Sequence, residues 1–279
     1  MISHTTTADD GVVITFYEID GGPAKGPVII TSAGIGAADA AKRLASLSPA
    51  IRVFGFGFRG MGDTSGTVAT PVTVERVARD LRAVFLAVSA LTQSSMTLVG
   101  NSMGVNIIWR HADSFGEEGV ERYCFIDQPK CVRRAFGGRD AIRGLLPVLR
   151  CAAWLRPLLA CVFPKLKGVD FGALAHLIAD SEATDNTERI PRCISRPCLL
   201  YTGEASFIPD AVAEARWIGQ HVRGPARLLV YPKPHGTHSP QIPSNAKDPA
   251  AVATAARFCD DLRDYLLTSD AALYAEQKP

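Results

Sequence analysis

The feature that most constrains this chain is a serine between two glycines, where an apolar run meets a helical run. The five residues are Gly100-Asn101-Ser102-Met103-Gly104; the apolar run is 96–99 and the helical run 105–111. Glycines two positions to either side of a serine allow a turn too tight for a side chain. The pattern predicts a nucleophile elbow, which lifts the serine hydroxyl off the sheet edge at a helix N-terminus. An ordinary glycine-rich strand-to-helix turn is the alternative.

The composition is that of a globular protein about the size of one large domain. Of its 279 residues, 47% are hydrophobic and 21% are charged, which is enough apolar sequence to bury a sizeable core. The formal net charge of +2 and the scattered basic residues argue against a nucleic-acid partner. No uncharged apolar run reaches the about 18 residues of a membrane span, and the first residues lack a secretory pattern. We therefore expect a cytoplasmic protein without a membrane span.

The seven cysteines of the chain contain no C-x-x-C pair. Their number is odd and most of them sit in apolar runs, which favours buried free thiols in a reducing compartment. A zinc site would need closer spacing of its ligands. We therefore expect no metal and no cofactor.

Strands and helices alternate along most of the chain. Apolar runs predict strands at 12–17, 27–31, 51–58, 96–99, 123–126, 198–201 and 226–231. Helical patterns occur at 38–47, 72–91, 105–111, 211–221 and 250–267. This alternation is typical of an α/β fold, with a mostly parallel central sheet that helices cover on both faces. Only the first ten residues and the tail 271–279 look loose.

The alternation breaks between residues 130 and 192, where amphipathic helices follow one another without a clear strand. We interpret 130–192 as a helical lid inserted over the strand ends, with 1–129 and 193–279 forming the core. Trp154, Phe163 and Phe171 of this insertion are candidates for lining an apolar substrate pocket, together with Gly34. Ordinary packing explains aromatic residues at helical spacing equally well. An apolar lid could also serve as the face of a homodimer, so the oligomeric state stays open.

Four segments, taken in order, resemble the α/β-hydrolase fold over nearly the whole chain. They are the glycine loop 32–36, Arg59-Gly60-Met61-Gly62-Asp63-Thr64-Ser65, the Ser102 turn, and Gly236-Thr237-His238-Ser239-Pro240. They resemble the family's oxyanion loop, its R-G-x-G-x-S loop, its nucleophile elbow and its catalytic-histidine segment. Ala33 departs from the family, which usually has a histidine there. His235, three residues before His238, is the alternative base.

The acid that orients the histidine is not where the family usually has it. The usual position, about three residues after a glycine that follows the penultimate strand, holds Ser206. Asp127, directly after the strand that follows the elbow helix, resembles the acid of some members, including cofactor-free ring-cleaving dioxygenases and lactone hydrolases. Asp210 or Glu204 could serve instead, and a chain with no acid is a further alternative. An acid after Pro209 is more typical of a helix cap.

The resemblance implies a serine hydrolase. Ser102 would be the nucleophile, His238 the base and Asp127 the acid, with the backbone amides of Met103 and Ile35 as the oxyanion hole. The expected reaction is cleavage of an ester, thioester or lactone of an apolar small molecule through an acyl-enzyme. One alternative is a cofactor-free lyase, cyclase or oxygenase that uses the His238–Asp127 pair as general base. Another is a non-catalytic small-molecule binder on the same fold.

Overall fold

A single eight-stranded sheet forms the centre of the molecule. The computed structural model describes residues 1–19, 27–33, 37–61, 71–135, 152, 169–238 and 245–268. The strands are β1 (Ile2–Thr7), β2 (Val13–Ile19), β3 (Val28–Ala33), β4 (Arg52–Gly57), β5 (Met96–Asn101), β6 (Val120–Ile126), β7 (Cys198–Gly203) and β8 (Ala226–Tyr231). Their order across the sheet is β1-β2-β4-β3-β5-β6-β7-β8.

The sheet is mostly parallel. Strand β2 runs antiparallel to both of its neighbours, β1 and β4, whereas the pairs from β4 through β3 to β8 are all parallel. The carboxyl ends of these six strands therefore lie along one edge, and the loops that follow them can meet there. The α/β architecture that the sequence predicts is confirmed.

Helices cover both faces of the sheet. In the described part of the chain they are α1 (Ala37–Ala45), α2 (Val74–Thr92), α3 (Met103–Phe115), α4 (Val132–Ala135), α5 (Phe171–Ala183), α6 (Arg189–Cys193), α7 (Ala211–His221) and α8 (Pro249–Leu267). Leu98 of β5 belongs to the core that includes α2 and α3, whereas its neighbour Val99 belongs to the core that includes α8. This alternation follows from the two-residue period of a strand and explains why β5 is apolar without interruption.

The expectation that the first ten residues are loose is wrong, because residues 2–7 form strand β1. Residues 2–7 pair with β2 along their whole length. The loop after β1 is also held, because Asp10 accepts hydrogen bonds from the buried Arg59 guanidinium at 2.7 and 3.2 Å. The sequence signal was weak because β1 is a half-exposed edge strand, Ile-Ser-His-Thr-Thr-Thr, with little apolar alternation. Its threonines nevertheless favour extended backbone.

The described ends of the predicted lid pack against the body of the fold. Asp180 of α5 accepts a hydrogen bond from the backbone N–H of Val74, at the start of α2, at 2.7 Å. Asn106 of α3 donates to Ser181 and accepts from Asn186, both at 2.7 Å. Residues 169–192 are thus joined to α2 and α3 by partly or fully buried polar contacts. Residues 136–151 and 153–168 lie outside the described residues, so the lid and its boundaries stay a prediction.

Two further expectations concern membranes and cysteines. Within the described ranges, no helix is both long and apolar enough to cross a membrane. Five cysteines lie in those ranges, all as free thiols, and four of them are buried: Cys124, Cys131, Cys193 and Cys198. Burial raises the pKa of the Cys193 and Cys198 thiols to about 12. These two thiols therefore stay protonated and unreactive at neutral pH.

His111 is a buried histidine whose ring nitrogens both lack a hydrogen-bond partner. Its ring lies near Phe85 and Phe115, with centroids 5.5 and 5.4 Å away. Burial, with a smaller contribution from the charge of Arg82, lowers the pKa of His111 from 6.5 to about 3. The folded protein therefore keeps this ring neutral at pH values where the unfolded chain protonates it. Stability should fall as the pH drops from 6.5 towards 3.

We expect the substitution His111→Leu to remove this acid sensitivity. Its effect on the free energy of unfolding should be more favourable at pH 5 than at pH 8 by about 2 kcal/mol, because each pKa unit corresponds to about 1.4 kcal/mol. Urea unfolding at the two pH values measures the difference. The control is His176→Leu, at an exposed histidine of α5 that water solvates in both states. An equal effect of His111→Leu at both pH values would contradict the prediction.

Candidate functional site

Ser102 lies at the apex of the turn between β5 and α3. Its backbone angles are φ 51° and ψ −124°, a region that costs a non-glycine residue free energy and persists only where the surroundings impose it. The backbone N–H of Ser102 donates to the carbonyl of Ile126 at 2.9 Å. The serine hydroxyl does not cap α3, although helix capping is the usual role of a serine at this position.

The two flanking glycines are required by close backbone packing. A Cβ on Gly104 would lie closer than 3.0 Å to the carbonyl oxygen of Ser32 in β3. A Cβ on Gly100 would meet the backbone nitrogen of Val105 at 2.8 Å and the side chain of Ile108 at 2.9 Å. The turn therefore presses α3 against the strand ends. This geometry favours the elbow over an ordinary glycine-rich turn.

His238 and Asp127 form a hydrogen-bonded pair. The His238 Nδ1 and Asp127 Oδ2 atoms are 2.7 Å apart, although 111 positions separate the residues in sequence. Asp127 follows β6 directly with φ 50°, and its backbone N–H donates to the carbonyl of Tyr201 in β7 at 2.9 Å. The aspartate side chain is 1% exposed and the histidine side chain 18%. The carboxylate is therefore buried, while the imidazole reaches solvent.

The other candidates for the acid and the base have other partners or lie elsewhere. Glu204 accepts a hydrogen bond from the backbone N–H of Lys233 at 3.3 Å. Asp210 is the residue before α7 and has φ 52°. The alternative base, His235, has its Nε2 3.4 Å from the carboxylate of Asp248, at the start of α8. Of these candidates, Asp127 is the one whose side chain contacts the imidazole of His238.

The Asp127 carboxylate is held by two hydroxyls besides the imidazole. Thr202 Oγ1 donates to Oδ1 at 2.8 Å, and Ser206 Oγ donates to Oδ2 at 2.5 Å. The Ser206 hydroxyl also accepts from the backbone N–H of Ile208 at 3.1 Å, so its own hydrogen points to the carboxylate. Three donors therefore fix the orientation of the acid. Ser206 occupies the position where the resemblance implies an acid. Here its hydroxyl binds Asp127, whose carboxylate lies at the end of the neighbouring strand β6.

The loop that carries His238 is anchored to the serine turn and to β7. Asn101 Nδ2 donates to the carbonyl of His238 at 3.2 Å, so the residue before Ser102 binds the histidine backbone directly. Tyr201 donates from its hydroxyl to the carbonyl of Thr237 at 2.9 Å. A Cβ on Gly203 would lie closer than 3.0 Å to Gly236. These contacts gather Ser102, Asp127 and His238 at one edge of the sheet.

Sequence reasoning missed Asn101, Thr202 and the hydroxyl role of Ser206. Each is an ordinary polar residue, and nothing in its type or spacing indicates a partner. Ser206 alone had a positional signal, because it occupies the place of the family's usual acid. Its contact with Asp127 depends on how β6 and β7 align, and β6 pairs with β7 from Tyr123–Cys198 to Ile126–Tyr201.

The remaining predicted site residues are placed only in part. Ile35, Gly34, Trp154 and Phe163 lie outside the described residues, so their roles stay predictions. Met103 is the first residue of α3 and packs partly buried against the core; its N–H belongs to the first turn, where amides lack an intrahelical acceptor. Phe171 begins α5 and is 6% exposed. Among the described residues, no group of three His, Cys, Asp or Glu side chains could hold a metal ion.

We expect Gly104→Ala to distort the Ser102 turn and to lower the free energy of unfolding by about 3 kcal/mol, as overpacking does in a rigid core. The added Cβ would meet a backbone oxygen of β3, which cannot move away alone. Gly57→Ala is the matched control, because its Cβ would have its nearest neighbours at the ordinary distances of 3.4 and 3.5 Å. Thermal unfolding of both variants measures the difference, and equal losses would contradict the prediction.

No protein-family model matches the chain, and no curated protein matches it in sequence. Solved structures match its shape over nearly its whole length. An esterase from Exiguobacterium antarcticum superposes with a TM-score of 0.75 at 17% identity, over 96% of this chain and 100% of that chain. A bromoperoxidase from Bacillus anthracis does so with a TM-score of 0.65 at 17% identity, over 96% and 100%.

A third solved structure of similar shape is that of an α/β hydrolase. The enzyme MGS-M2, an α/β hydrolase from a Medee basin deep-sea metagenome library, superposes with a TM-score of 0.65 at 14% identity, over 92% of this chain and 94% of that chain. Identities this low show the fold and nothing finer. The strand order of the sheet, the helices on both faces and these superpositions together show that the chain has the α/β-hydrolase fold.

Proposed function

We propose that this protein is a serine hydrolase that cleaves an ester, thioester or lactone of an apolar small molecule through an acyl-enzyme. The observation that carries the proposal is the 2.7 Å contact between His238 and the buried Asp127. This pair lies beside the turn of Ser102, because Asn101 binds the backbone of His238. A buried acid, an imidazole and a serine on a strained turn are the components of a Ser-His-Asp triad. The esterase among the structures of similar fold agrees with this activity.

The proposed chemistry assigns one task to each of the three side chains. His238 takes the proton of the Ser102 hydroxyl through Nε2, because its Nδ1 faces Asp127. The serine oxygen attacks the carbonyl carbon. The imidazolium then gives the proton to the leaving atom, which is oxygen in an ester or lactone and sulfur in a thioester, as the bond from that atom to the carbonyl carbon breaks. Asp127 keeps the ring in the required tautomer and stabilises its charge. Water then hydrolyses the acyl-enzyme with the same base.

The developing negative charge on the carbonyl oxygen needs N–H donors. In this proposal the amides of Met103 and Ile35 provide them. The amide of Met103 belongs to the first turn of α3, where amides lack an intrahelical acceptor and the helix dipole favours an anion. A backbone donor makes no demand on side-chain identity, so Ala33 in place of a histidine is compatible with this role.

We expect Ser102→Ala to abolish labelling by a fluorophosphonate probe and to reduce hydrolysis of p-nitrophenyl acetate by about four orders of magnitude or more, since the nucleophile is lost. Gel fluorescence and release of p-nitrophenolate are the measurements. Ser46→Ala is the control, at an exposed serine that donates to Arg43 far along the chain from the turn. Labelling that persists in Ser102→Ala but disappears in another serine variant would refute the assignment.

We expect substitutions of Asp127 and of Ser206 to lower kcat by different amounts. Asp127→Asn is expected to lower kcat by about 10⁴-fold, because an amide does not hold the reactive tautomer. Ser206→Ala removes one hydrogen bond to the same carboxylate and should lower kcat by roughly tenfold with little change in KM. Ser206→Thr keeps a hydroxyl and should restore much of kcat. Loss of kcat in step with loss of thermal stability in Ser206→Ala would instead indicate a merely structural contact.

A second candidate is a reaction in which the His238–Asp127 pair acts as general base without a covalent intermediate. The observation in its favour is that this pair is hydrogen-bonded and oriented by Thr202 and Ser206 without any contribution from Ser102. In that case Ser102 would only bind substrate. Turnover that survives Ser102→Ala but is lost in His238→Ala identifies this candidate, whereas loss in both variants supports the acyl-enzyme.

A further inference from the structure

Phe207 is a large apolar side chain that contacts the imidazole of His238 and yet faces solvent. The two ring centroids are 4.4 Å apart, with the planes inclined by 53°. Phe207 is 65% exposed, more than any other large hydrophobic residue in the described part of the chain, whereas the adjacent Ile208 is 6% exposed. Of these two neighbouring apolar side chains, Phe207 therefore faces solvent and Ile208 is buried.

The position of Phe207 is not the result of a loosely held loop. Its neighbour Ser206 is bound on both sides: its N–H donates to the carbonyl of Gly203 at 3.0 Å, and its hydroxyl donates to Asp127. One residue earlier, the N–H of Ala205 donates to the carbonyl of Gly236 in the histidine loop at 2.8 Å. The contacts that orient the acid and the histidine therefore also fix the backbone that presents Phe207.

The chemistry of the proposed reaction determines what the exposed ring can touch. During acylation the imidazolium must give its proton to the leaving oxygen, and Asp127 occupies the Nδ1 side of the ring. The leaving group therefore has to lie at the Nε2 side, next to the imidazole. In the proposed reaction the acyl carbonyl lies instead beside Ser102 and the amide of Met103, at the start of α3. A side chain packed against the imidazole borders the leaving group more closely than the acyl chain.

We propose that Phe207 forms the wall of the leaving-group subsite and makes the protein select esters whose alcohol part is aromatic or bulky and apolar. This inference rests on the serine hydrolase function proposed above. Binding of an aromatic alcohol group removes the exposed face of Phe207 from water and adds a ring–ring contact. The contribution is specific to acylation, since during deacylation water takes the place of the alcohol.

The test compares Phe207→Ala with the unaltered protein on two ester series. In the first, the acyl group is butyrate and the alcohol is methanol, benzyl alcohol or 2-naphthol; in the second, the alcohol is p-nitrophenol and the acyl chain varies. We expect the ratio of kcat/KM for the benzyl and methyl esters to fall by roughly tenfold or more. The preference among acyl chains and the rate of butyryl-enzyme hydrolysis should not change.

Two further variants separate specificity from stability. Phe207→Tyr keeps the ring and should restore the benzyl-to-methyl ratio. Leu86→Ala removes another exposed apolar side chain, 51% exposed on α2, and should leave the ratio unchanged. Equal losses on methyl and benzyl esters, or a changed acyl-chain preference, would overturn the inference while fluorophosphonate labelling of Ser102 still supported the hydrolase.

Two further combinations of labelling and ester turnover would also overturn the inference. Labelling of Ser102 without turnover of any ester in the panel would overturn selection by the alcohol group and leave the nucleophile assignment standing. Absence of both labelling and turnover would overturn the proposed function, and the leaving-group subsite with it.

Discussion

The arrangement at the sheet edge depends on the burial of one carboxyl group. The side chain of Asp127 is 1% exposed, and a polar group removed from water is costly unless its hydrogen bonds are made within the protein. The donors come from three separate places: Thr202 in β7, Ser206 in the turn after it, and His238 in the loop after β8. Satisfying Asp127 therefore draws these segments together and sets the position of the imidazole.

A second constraint is backbone strain at two successive strand ends. Ser102 follows β5 with φ 51° and Asp127 follows β6 with φ 50°, and each donates its N–H to the neighbouring strand, to Ile126 and Tyr201 respectively. The sheet ladder thus continues one residue past each strand and imposes conformations that isolated residues would avoid. Strain in both residues is offset by the same parallel ladder, so the serine and the acid are positioned by one sheet rather than by two independent loops.

Patterns that report burial were sufficient to predict most of the fold. The helix at 211–221 and the strand at 226–231 have the bounds that periodicity predicts, whereas the polar edge strand β1 had no such signal. The serine turn could be predicted from the sequence, because backbone segments that approach this closely require glycines. The residues alone left the choice among Asp127, Asp210 and Glu204 open, and it was the resemblance that favoured Asp127. The choice depends on a side-chain contact across 111 positions and on the alignment of β6 with β7, which no local pattern reports.

The position of the acid has a consequence for specificity under the proposed function. With the carboxylate at the end of β6, the turn after β7 does not have to supply it, and the turn carries Ser206 and Phe207 instead. The hydroxyl of Ser206 binds the carboxylate of Asp127, and the ring of Phe207 packs against the imidazole of His238. Orientation of the base and recognition of the leaving group then depend on the same rigid turn. A change in its backbone would disturb both together, whereas replacement of the Phe207 ring alone would alter substrate choice and leave the hydrogen bonds of the acid intact.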